Sequence, residues 1–339
     1  MEAYRSLLRP LLFRLPPERA HHLSLRALRL PLPWARLGGA DGDAALEMDW
    51  LGMRLRNPVG LAAGFDKSCE VLPALGRLGF GYLVGGSVTA APRDGNARPR
   101  IARVPEQESM VNAMGLPNQG AERIGVRLSR LEPTAPTLVS VTGAEPDGIQ
   151  RAFEAVEPFA AGIELNVSCP NVRWGRDAGV ETMLQRALPR LRGASRTPLL
   201  VKLPPFGTDA ERDAVLALAR IARDGGADGI TASNTRPVDS DRVAVGRGGL
   251  SGRAVFPDTV RIVRDLYAAT GGALTINACG GISTADDALA CIRAGASTVQ
   301  VYTAFVYRGP GLVGEITRGL ARRLADAPEP LHALIGAGA

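Results

Sequence analysis

Residues 273–302, ALTINACGGISTADDALACIRAGASTVQVY, contain two short apolar runs separated by an amphipathic segment. The runs at 273–278 and 297–302 have the length and apolar content of buried strands, and residues 284–294 place apolar side chains at helical spacing. A strand, a helix and a second strand in this order form the repeating unit of a parallel sheet. This stretch therefore predicts an α/β protein.

The same alternation runs through the chain from residue 55 onward. Six further apolar runs are predicted as strands, at residues 58–62, 82–86, 137–141, 161–167, 198–203 and 228–233. Amphipathic stretches such as 211–224 lie between most of them. Eight strands with intervening helices favour a (β/α)8 TIM barrel over a doubly wound sheet. We expect this catalytic barrel to span residues 41–339, after an N-terminal extension over residues 1–40.

Composition excludes several other classes of protein. The 339-residue chain is 45% hydrophobic and 22% charged, which allows a large core and argues against disorder. No apolar run approaches the ~18–20 residues of a membrane span, and we expect no secretory signal. Four dispersed cysteines without a CxxC pair and only three histidines predict neither a disulfide framework nor a metal site.

The N-terminal segment carries most of the net charge. Residues 1–36 hold seven arginines and two acidic residues, in a chain whose net charge is +6. Leucines at helical spacing in 3–15 and 18–30, separated by Pro16-Pro17, predict an amphipathic helical hairpin. The hairpin either lies on an anionic membrane surface or packs on the barrel. Nucleic acid is not expected as a partner, because the basic excess is confined to this segment without interleaved aromatics.

Lysine is rare in this sequence. Only two of the 40 basic residues are lysines, Lys67 and Lys202. Lys67 follows the first predicted barrel strand and Lys202 lies at the end of the fifth, where barrel enzymes keep catalytic groups. The small residues Ala63 and Gly64 before Lys67 allow close backbone approach to a flat or phosphorylated ligand. Both lysines are therefore candidate site residues.

Amide side chains also follow the predicted strands. Asn166 and Asn171 flank Cys169 at the end of the fourth strand, Asn234 follows the sixth, and Asn112 begins the stretch NAMGLPN. Amides without paired carboxylates indicate recognition of a planar, amide-like ring rather than glycoside hydrolysis. From its context alone, Cys169 could be a base, a nucleophile or an inert thiol.

Two glycine-rich loops predict a phosphate site. Gly252 ends GGLSG after the sixth strand, and Gly281 lies in CGGI after the seventh. Barrel enzymes commonly bind phosphate at the loops after strands seven and eight. We expect backbone N–H groups of Gly281, Tyr302 and Thr303 to cradle it.

The motifs GLAAGFDK, NAMG, NVSCPN, VKLPP, GGLSG, CGGI and VQVYTAF occur in this order. Over residues 3–323 the chain resembles the dihydroorotate dehydrogenase family. The resemblance implies an FMN-dependent barrel that oxidises dihydroorotate to orotate in pyrimidine biosynthesis. It implies that Cys169 removes the C5 proton while hydride passes from C6 to flavin N5, and that Lys202 stabilises negative charge on the reduced flavin.

The resemblance also implies two sets of binding residues. The substrate set is Lys67, Asn112, Met114, Gly115, Leu116, Asn166, Asn171, Asn234 and Thr235. The FMN set is Ala63, Gly64, Lys67, Ser87, Asn166, Lys202, Ser233, Gly252, Gly281, Tyr302 and Thr303.

The hairpin is similar to that of the membrane-associated, quinone-dependent class. Residues 17–21, PERAH, match its entry motif, and Arg103 falls where that class has an arginine beside the quinone. The resemblance implies a quinone site at His21, Arg103 and Tyr302. It further implies peripheral attachment through residues 1–36 to the cytoplasmic side of the membrane. We expect a monomer, with a dimer as the alternative.

Other positions resemble the soluble class of the family. Cys169 stands where the quinone class usually has serine, and residues 114–118 and 202–205 also look like the soluble class. The asparagine that the quinone class has on the third strand is missing from residues 139–143, and the loop after Asn171 is unusual. Two alternatives therefore remain: a soluble-type enzyme that uses fumarate or another acceptor, and a flavoenzyme acting on another pyrimidine-like ring. A non-enzymatic binding protein, which would bind no flavin, is the third.

Overall fold

The computed structural model describes residues 4–39, 42–168, 179–325 and 329–339. The helices are α1 Arg9–Arg14, α2 Pro17–Leu28, α3 Trp34–Gly38, α4 Leu72–Arg77, α5 Ala121–Leu128, α6 Pro146–Val156, α7 Val180–Ala194, α8 Asp209–Asp224, α9 Phe256–Thr270, α10 Ala285–Arg293, α11 Thr303–Arg308 and α12 Leu312–Ala325. The strands are β1 Met48–Trp50, β2 Met53–Leu55, β3 Val59–Leu61, β4 Tyr82–Val88, β5 Ile101–Val104, β6 Ser109–Asn112, β7 Thr137–Val141, β8 Gly162–Asn166, β9 Leu199–Leu203, β10 Gly229–Ala232, β11 Arg236–Asp239, β12 Arg247–Gly252, β13 Thr275–Cys279 and β14 Thr298–Val301.

Eight parallel strands close into a barrel in the order β3, β4, β7, β8, β9, β10, β13 and β14, and β14 pairs with β3 to complete it. Each of these strands coincides with one of the apolar runs predicted from the sequence, so the predicted TIM barrel is confirmed. All residues of β4, β7, β8 and β9 are buried. Strands covered on both faces have continuous apolar sequences, which explains why these eight were detectable.

Two antiparallel additions were not predicted. The β1–β2 hairpin packs beside the start of β4, with the Trp50 ring 4.8 Å from the Tyr82 ring and the indole N–H donating to Thr275. The second addition is a four-stranded sheet in the order β11, β12, β6, β5. Its strands lie in the connections after β4 and after β10, so the sheet borders the carboxyl end of the barrel.

The N-terminal hairpin both packs on the barrel and exposes apolar side chains. A π-helical turn at Tyr4–Leu8 precedes α1. The helical conformation ends after Arg14, and the extended residues Leu15 and Pro16 connect α1 to α2. Arg5 forms an ion pair with Glu315 of α12. Most of the exposed large apolar residues lie in this segment, namely Leu7, Leu8, Leu11, Leu15, Leu23, Leu30, Leu32 and Leu37. The two sequence interpretations of the hairpin are therefore compatible.

Among the residues described, none of the helices combines the length and the apolar character needed to cross a lipid bilayer.

Close packing inside the barrel can be tested at Gly60 of β3. A Cβ atom at Gly60 would lie 2.3 Å from Cζ of Tyr82, whose hydroxyl is fixed by donation to Asn277. Gly60→Ala is expected to lower the free energy of unfolding by about 1–3 kcal/mol through overpacking. The matched control is Gly148→Ala in α6, where a Cβ atom would meet nothing within 4 Å beyond the helix's own backbone and alanine favours the helix by ~0.5–1 kcal/mol. Urea unfolding of both variants measures the difference, and equal stabilities would contradict this account.

Candidate active site

A cavity opens where the barrel strands end, bordered by residues of β5, β6 and β12. Its walls bring together most of the residues selected from the sequence. These are Ala63, Gly64, Lys67, Ser87, Asn112, Met114, Gly115, Leu116, Asn166, Lys202, Ser233, Asn234, Thr235, Gly252, Gly281, Tyr302 and Thr303. Cys169 and Asn171 lie outside the described residues. The motifs, separated by up to 240 positions in the sequence, thus form one site.

Both lysines of the chain line this cavity. Burial lowers the pKa of Lys67 to about 8, although the nearby charges of Asp66 and Glu18 favour its protonated form. At neutral pH Lys67 is therefore still predominantly a cation. It can bind an anionic ligand group there, and it can lose its proton within a pH unit or two of neutrality.

Lys202 projects from β9 into the base of the cavity beside a buried carboxylate. Its Nζ lies 3.9 Å from Oε1 of Glu164, which is fully buried on β8. Oε2 of Glu164 accepts a hydrogen bond from Thr231, whereas Oε1 has no hydrogen-bond partner among the described residues. The Cys279 thiol lies 4.0 Å from the same Nζ.

The charge state of Lys202 follows from these neighbours. Burial lowers the pKa of Lys202, but the interactions with Cys279 and Glu164 outweigh burial and the net shift is upward. Burial raises the pKa of the Cys279 thiol, so that thiol is neutral near pH 7 and Glu164 supplies the stabilising charge. Sequence analysis missed Glu164. Its one signal is an acidic residue inside an otherwise apolar strand.

Glu164→Gln tests this buried pair. Removing one member leaves a buried charge without its counter-ion, and we expect the free energy of unfolding to fall by about 3–5 kcal/mol. The control is Asp147→Asn, which breaks the exposed Arg190–Asp147 ion pair and is expected to change stability by less than ~1 kcal/mol. Urea unfolding compares the two. A loss of similar size in both variants would show that Glu164 does not act as a buried counter-ion.

The amide side chains are held by fixed partners. Nδ2 of Asn166 donates to Ser87 at 2.9 Å, and Oδ1 of Asn166 accepts from the backbone N–H and hydroxyl of Ser168. Nδ2 of Asn234 donates to the carbonyl and hydroxyl oxygens of Ser168 at 3.1 and 2.9 Å. Ser168 thus connects the two amides across β8 and β10. Such a network orients the side chains before any ligand binds.

The glycine loops pack backbone against backbone at the other side of the cavity. Gly281 has φ +69°, and a Cβ atom there would lie 2.7 Å from the carbonyl oxygen of Gly252. Gly252 has φ +95°, and its Cβ atom would lie 2.5 Å from the carbonyl oxygen of Glu108. The Thr303 hydroxyl donates to Ser251 at 2.9 Å and ties the last barrel loop to the same wall. Only glycine fits at these two positions, and the bare backbone can approach a ligand closely.

The predicted quinone residues occupy different places. The His21 ring of α2 packs edge-on against Phe65 at 5.2 Å, and Phe65 packs against Tyr302 at 5.7 Å. Burial lowers the pKa of His21 well below its usual value, assisted by the charges of Lys67 and His22, so the ring is neutral at pH 7. A series of rings therefore leads from the hairpin to the cavity wall.

Arg103 lies at the carboxyl end of α1 rather than in the cavity wall. Its guanidinium donates to the carbonyl oxygens of Leu12, Phe13 and Leu15, and it stacks 4.4 Å from the centre of the Phe13 ring. These contacts satisfy carbonyl groups at and just after the end of α1, of which that of Leu12 also accepts a hydrogen bond from the backbone N–H of Leu15. Arg103 thus fixes the hairpin to β5.

Comparison with known proteins agrees with this site. The family profile described as dihydroorotate dehydrogenase matches residues 45–324. The chain belongs to the dihydroorotate dehydrogenase family. A relative from Erythrobacter litoralis, named dihydroorotate dehydrogenase (quinone), is 41% identical over 334 residues, which cover 95% of each chain. A relative of the same name from Parvibaculum lavamentivorans is 40% identical over 331 residues, which cover 94% of each chain.

A solved structure has the same architecture. The structure of Eimeria tenella DHODH in complex with ferulenol is similar to this chain with a TM-score of 0.81 and 30% identity, and the match covers 95% of both chains. The family membership inferred from the motifs is therefore confirmed. Sequence reasoning also missed two cavity residues, Gln300, which lies within the motif VQVYTAF, and Ser283, which follows CGGI.

Proposed function

We propose that this chain is an FMN-dependent dihydroorotate dehydrogenase that oxidises (S)-dihydroorotate to orotate in pyrimidine biosynthesis and passes the electrons to a membrane quinone. The observation that supports it most strongly is the convergence of both lysines, three amides and two glycine loops in one cavity. The names of the relatives favour quinone as the acceptor.

The cavity residues fit FMN. The tight contact between Gly252 and Gly281 leaves backbone without side chains on one wall, which suits a phosphate. Lys202 supplies a buried cation whose charge is held by Glu164, which suits an electron-rich ring system. The chemistry that FMN would supply there is acceptance of the hydride that leaves the substrate. The residues that would hold FMN are the eleven named above on the resemblance, all of which line the cavity.

The chain's own groups supply binding and proton transfer. Lys67 would bind the substrate carboxylate, and Asn112, Asn166 and Asn234 would hold the pyrimidine ring through their amides. Cys169 would take the C5 proton, a role that rests on the sequence resemblance. A thiolate is a competent base near neutral pH because the reference pKa of cysteine is about 8.5.

Anaerobic mixing of the flavin-loaded protein with dihydroorotate tests the proposal. We expect the flavin absorbance near 450 nm to bleach and to recover on addition of a menaquinone or ubiquinone analogue. Cys169→Ala is expected to bleach at least ~100-fold more slowly while retaining flavin, and Cys169→Ser to keep measurable activity with a shifted pH profile, because a hydroxyl can still accept the proton. Recovery with fumarate alone would indicate the soluble-type enzyme. No bleaching of a flavin-loaded protein would exclude dihydroorotate as the substrate.

The pKa of Lys67 predicts how ligand affinity depends on pH. Because Lys67 loses its charge above a pKa of about 8, we expect the dissociation constant for orotate to be flat below pH 7 and to rise above pH 8. The rise should approach tenfold per pH unit for a single titrating group. Spectral titration of the flavin-loaded protein with orotate measures the dissociation constant. Lys67→Met is the control: it should bind orotate more weakly at every pH, and its dissociation constant should not rise above pH 8. A wild-type affinity that stays constant to pH 9.5 would remove Lys67 from carboxylate binding.

The hairpin, which we assign to residues 1–40, supports attachment to a membrane. Leu7, Leu8 and Leu11 are 65%, 55% and 57% exposed. The arginines at positions 14, 19, 26 and 36 are exposed on the same segment. Exposed leucines beside arginines are typical of a peripheral helix on an anionic bilayer. The rings of His21, Phe65 and Tyr302 are in successive contact. They would connect a quinone bound at the hairpin to the cavity wall, which Tyr302 lines.

Leu7→Glu/Leu11→Glu tests membrane attachment. Each leucine buried in lipid contributes about 1.5–3 kcal/mol, so we expect binding to anionic vesicles to fall by more than ~100-fold and quinone reduction in vesicles to fall with it. Flavin reduction by dihydroorotate should stay unchanged. Val126→Glu/Val245→Glu, at exposed apolar positions outside the hairpin, is the control and should bind vesicles like the wild type. Unaltered sedimentation of the leucine variant with vesicles would leave the hairpin a purely structural element.

A further inference from the structure

One carboxylate of the N-terminal hairpin accepts hydrogen bonds from two arginines in the segment between β4 and β5. Glu18 of α2 accepts hydrogen bonds from Nη2 of Arg100 at 2.7 Å and from Nε of Arg98 at 3.0 Å. The Arg98 side chain is 69% exposed, whereas that of Arg100 is 6% exposed and that of Glu18 is 14% exposed. The largely buried pair of Glu18 and Arg100 therefore carries the interaction, because exposed ion pairs contribute little.

Arg100 uses its remaining N–H groups on a neighbouring turn. Nη1 of Arg100 donates to the carbonyl oxygens of Asp94 and Asn96 at 2.6 and 3.1 Å. A Cβ atom at Gly95, in the same turn, would lie 2.5 Å from this Nη1. The guanidinium thus fills the space inside the turn at residues 94–96 and connects it to the hairpin.

The turn at residues 94–96 also supports one wall of the cavity. Nδ2 of Asn96 donates to the carbonyl oxygen of Ala113, and the backbone N–H of Asn96 donates to that of Met114, each at 2.9 Å. A Cβ atom at Gly115 would lie 2.5 Å from Oδ1 of Asn96. Met114, Gly115 and Leu116 all line the cavity. Their position therefore depends on the turn.

We propose that Glu18 and Arg100 are positioning residues, through which the seating of the N-terminal hairpin fixes residues 114–116 against the bound substrate. The identity of that substrate rests on the proposed function. The connection from Glu18 through Arg100 and the turn to residues 114–116 is independent of it. Neither Glu18 nor Arg100 is among the described residues that line the cavity. Their loss is therefore expected to weaken substrate binding and to leave the chemical step nearly unchanged.

Glu18→Gln is the primary test, because it keeps the size of the side chain and removes its charge. We expect backbone hydrogen exchange to accelerate in peptides covering residues 94–118. We expect the dihydroorotate concentration that half-saturates anaerobic flavin reduction to rise about tenfold, the lower end of the loss typical of one charge-assisted hydrogen bond. The limiting rate of flavin reduction should change less than about twofold.

Arg5→Gln is the matched control. It breaks a different ion pair between the hairpin and the barrel, with Glu315, and Arg5 makes no contact with the turn at 94–96 among the interactions of the described residues. It should leave exchange over residues 94–118 and the half-saturating concentration at wild-type values. Equal effects of Glu18→Gln and Arg5→Gln would mean that general loosening of the hairpin, not this pair, is responsible, and would overturn the proposal.

Arg100→Lys is the second variant, because lysine cannot bind Glu18 and both carbonyl groups together. It keeps the charge of Glu18, which also favours the protonated form of Lys67, so a rise in half-saturation in this variant as well assigns the effect to the turn and not to Lys67. If the two residues act as a unit, Glu18→Gln/Arg100→Lys should be no worse than the poorer single variant. Wild-type exchange and half-saturation in Glu18→Gln would overturn the proposal. Should the wild type fail to oxidise dihydroorotate, the exchange measurement still tests the connection, so failure of the proposed function is distinguishable.

Discussion

Pairing of β14 with β3 is the constraint on which the rest of the structure depends. It closes the eight parallel strands into a ring, and a closed parallel ring has all its carboxyl ends on one face. Residues that end β8, β9 and β10 are thereby brought beside loops from the beginning and the end of the chain. Without closure, Lys67 and Thr303 would lie at opposite edges of an open sheet.

Inside the ring, a line of polar contacts runs along the barrel axis. The Tyr82 hydroxyl donates to Asn277 at 2.7 Å, and Thr231 connects Asn277 to Glu164 through contacts of 3.4 and 2.8 Å. Glu164 then faces Lys202. Apolar side chains fill the opposite end of the interior, where Val84, Leu138 and Leu200 pack with Tyr82. The buried ion pair thus lies at the cavity end of a line of hydrogen-bonded polar groups, and Oε1 of Glu164, which faces Lys202, is the atom of that line without a hydrogen bond among the described residues.

The sequence alone revealed the elements and residues whose signal is local. The eight barrel strands were detectable because each is a continuous apolar run, whereas β11 and β12, with sequences RPVD and RGGLSG, have too few apolar residues to stand out. The lysines were detectable because they are rare. The pair of Glu18 and Arg100 was not, because 82 positions separate two unremarkable charged residues that only the folded chain brings together. Glu164 lies on the strand next to that of Lys202 in the predicted barrel, but all residues of β8 are buried, and the sequence does not show which of them face the interior.

The scarcity of lysine has a chemical consequence. Apart from the amino terminus, the only primary amines of this protein are the two in the cavity, since every other basic side chain is an arginine or a histidine. Acylating reagents attack the uncharged amine, and the lowered pKa of Lys67 makes it the more readily deprotonated of the two. A general amine reagent modifies surface lysines in most proteins. In this protein the side-chain amines that it can modify are the two in the cavity.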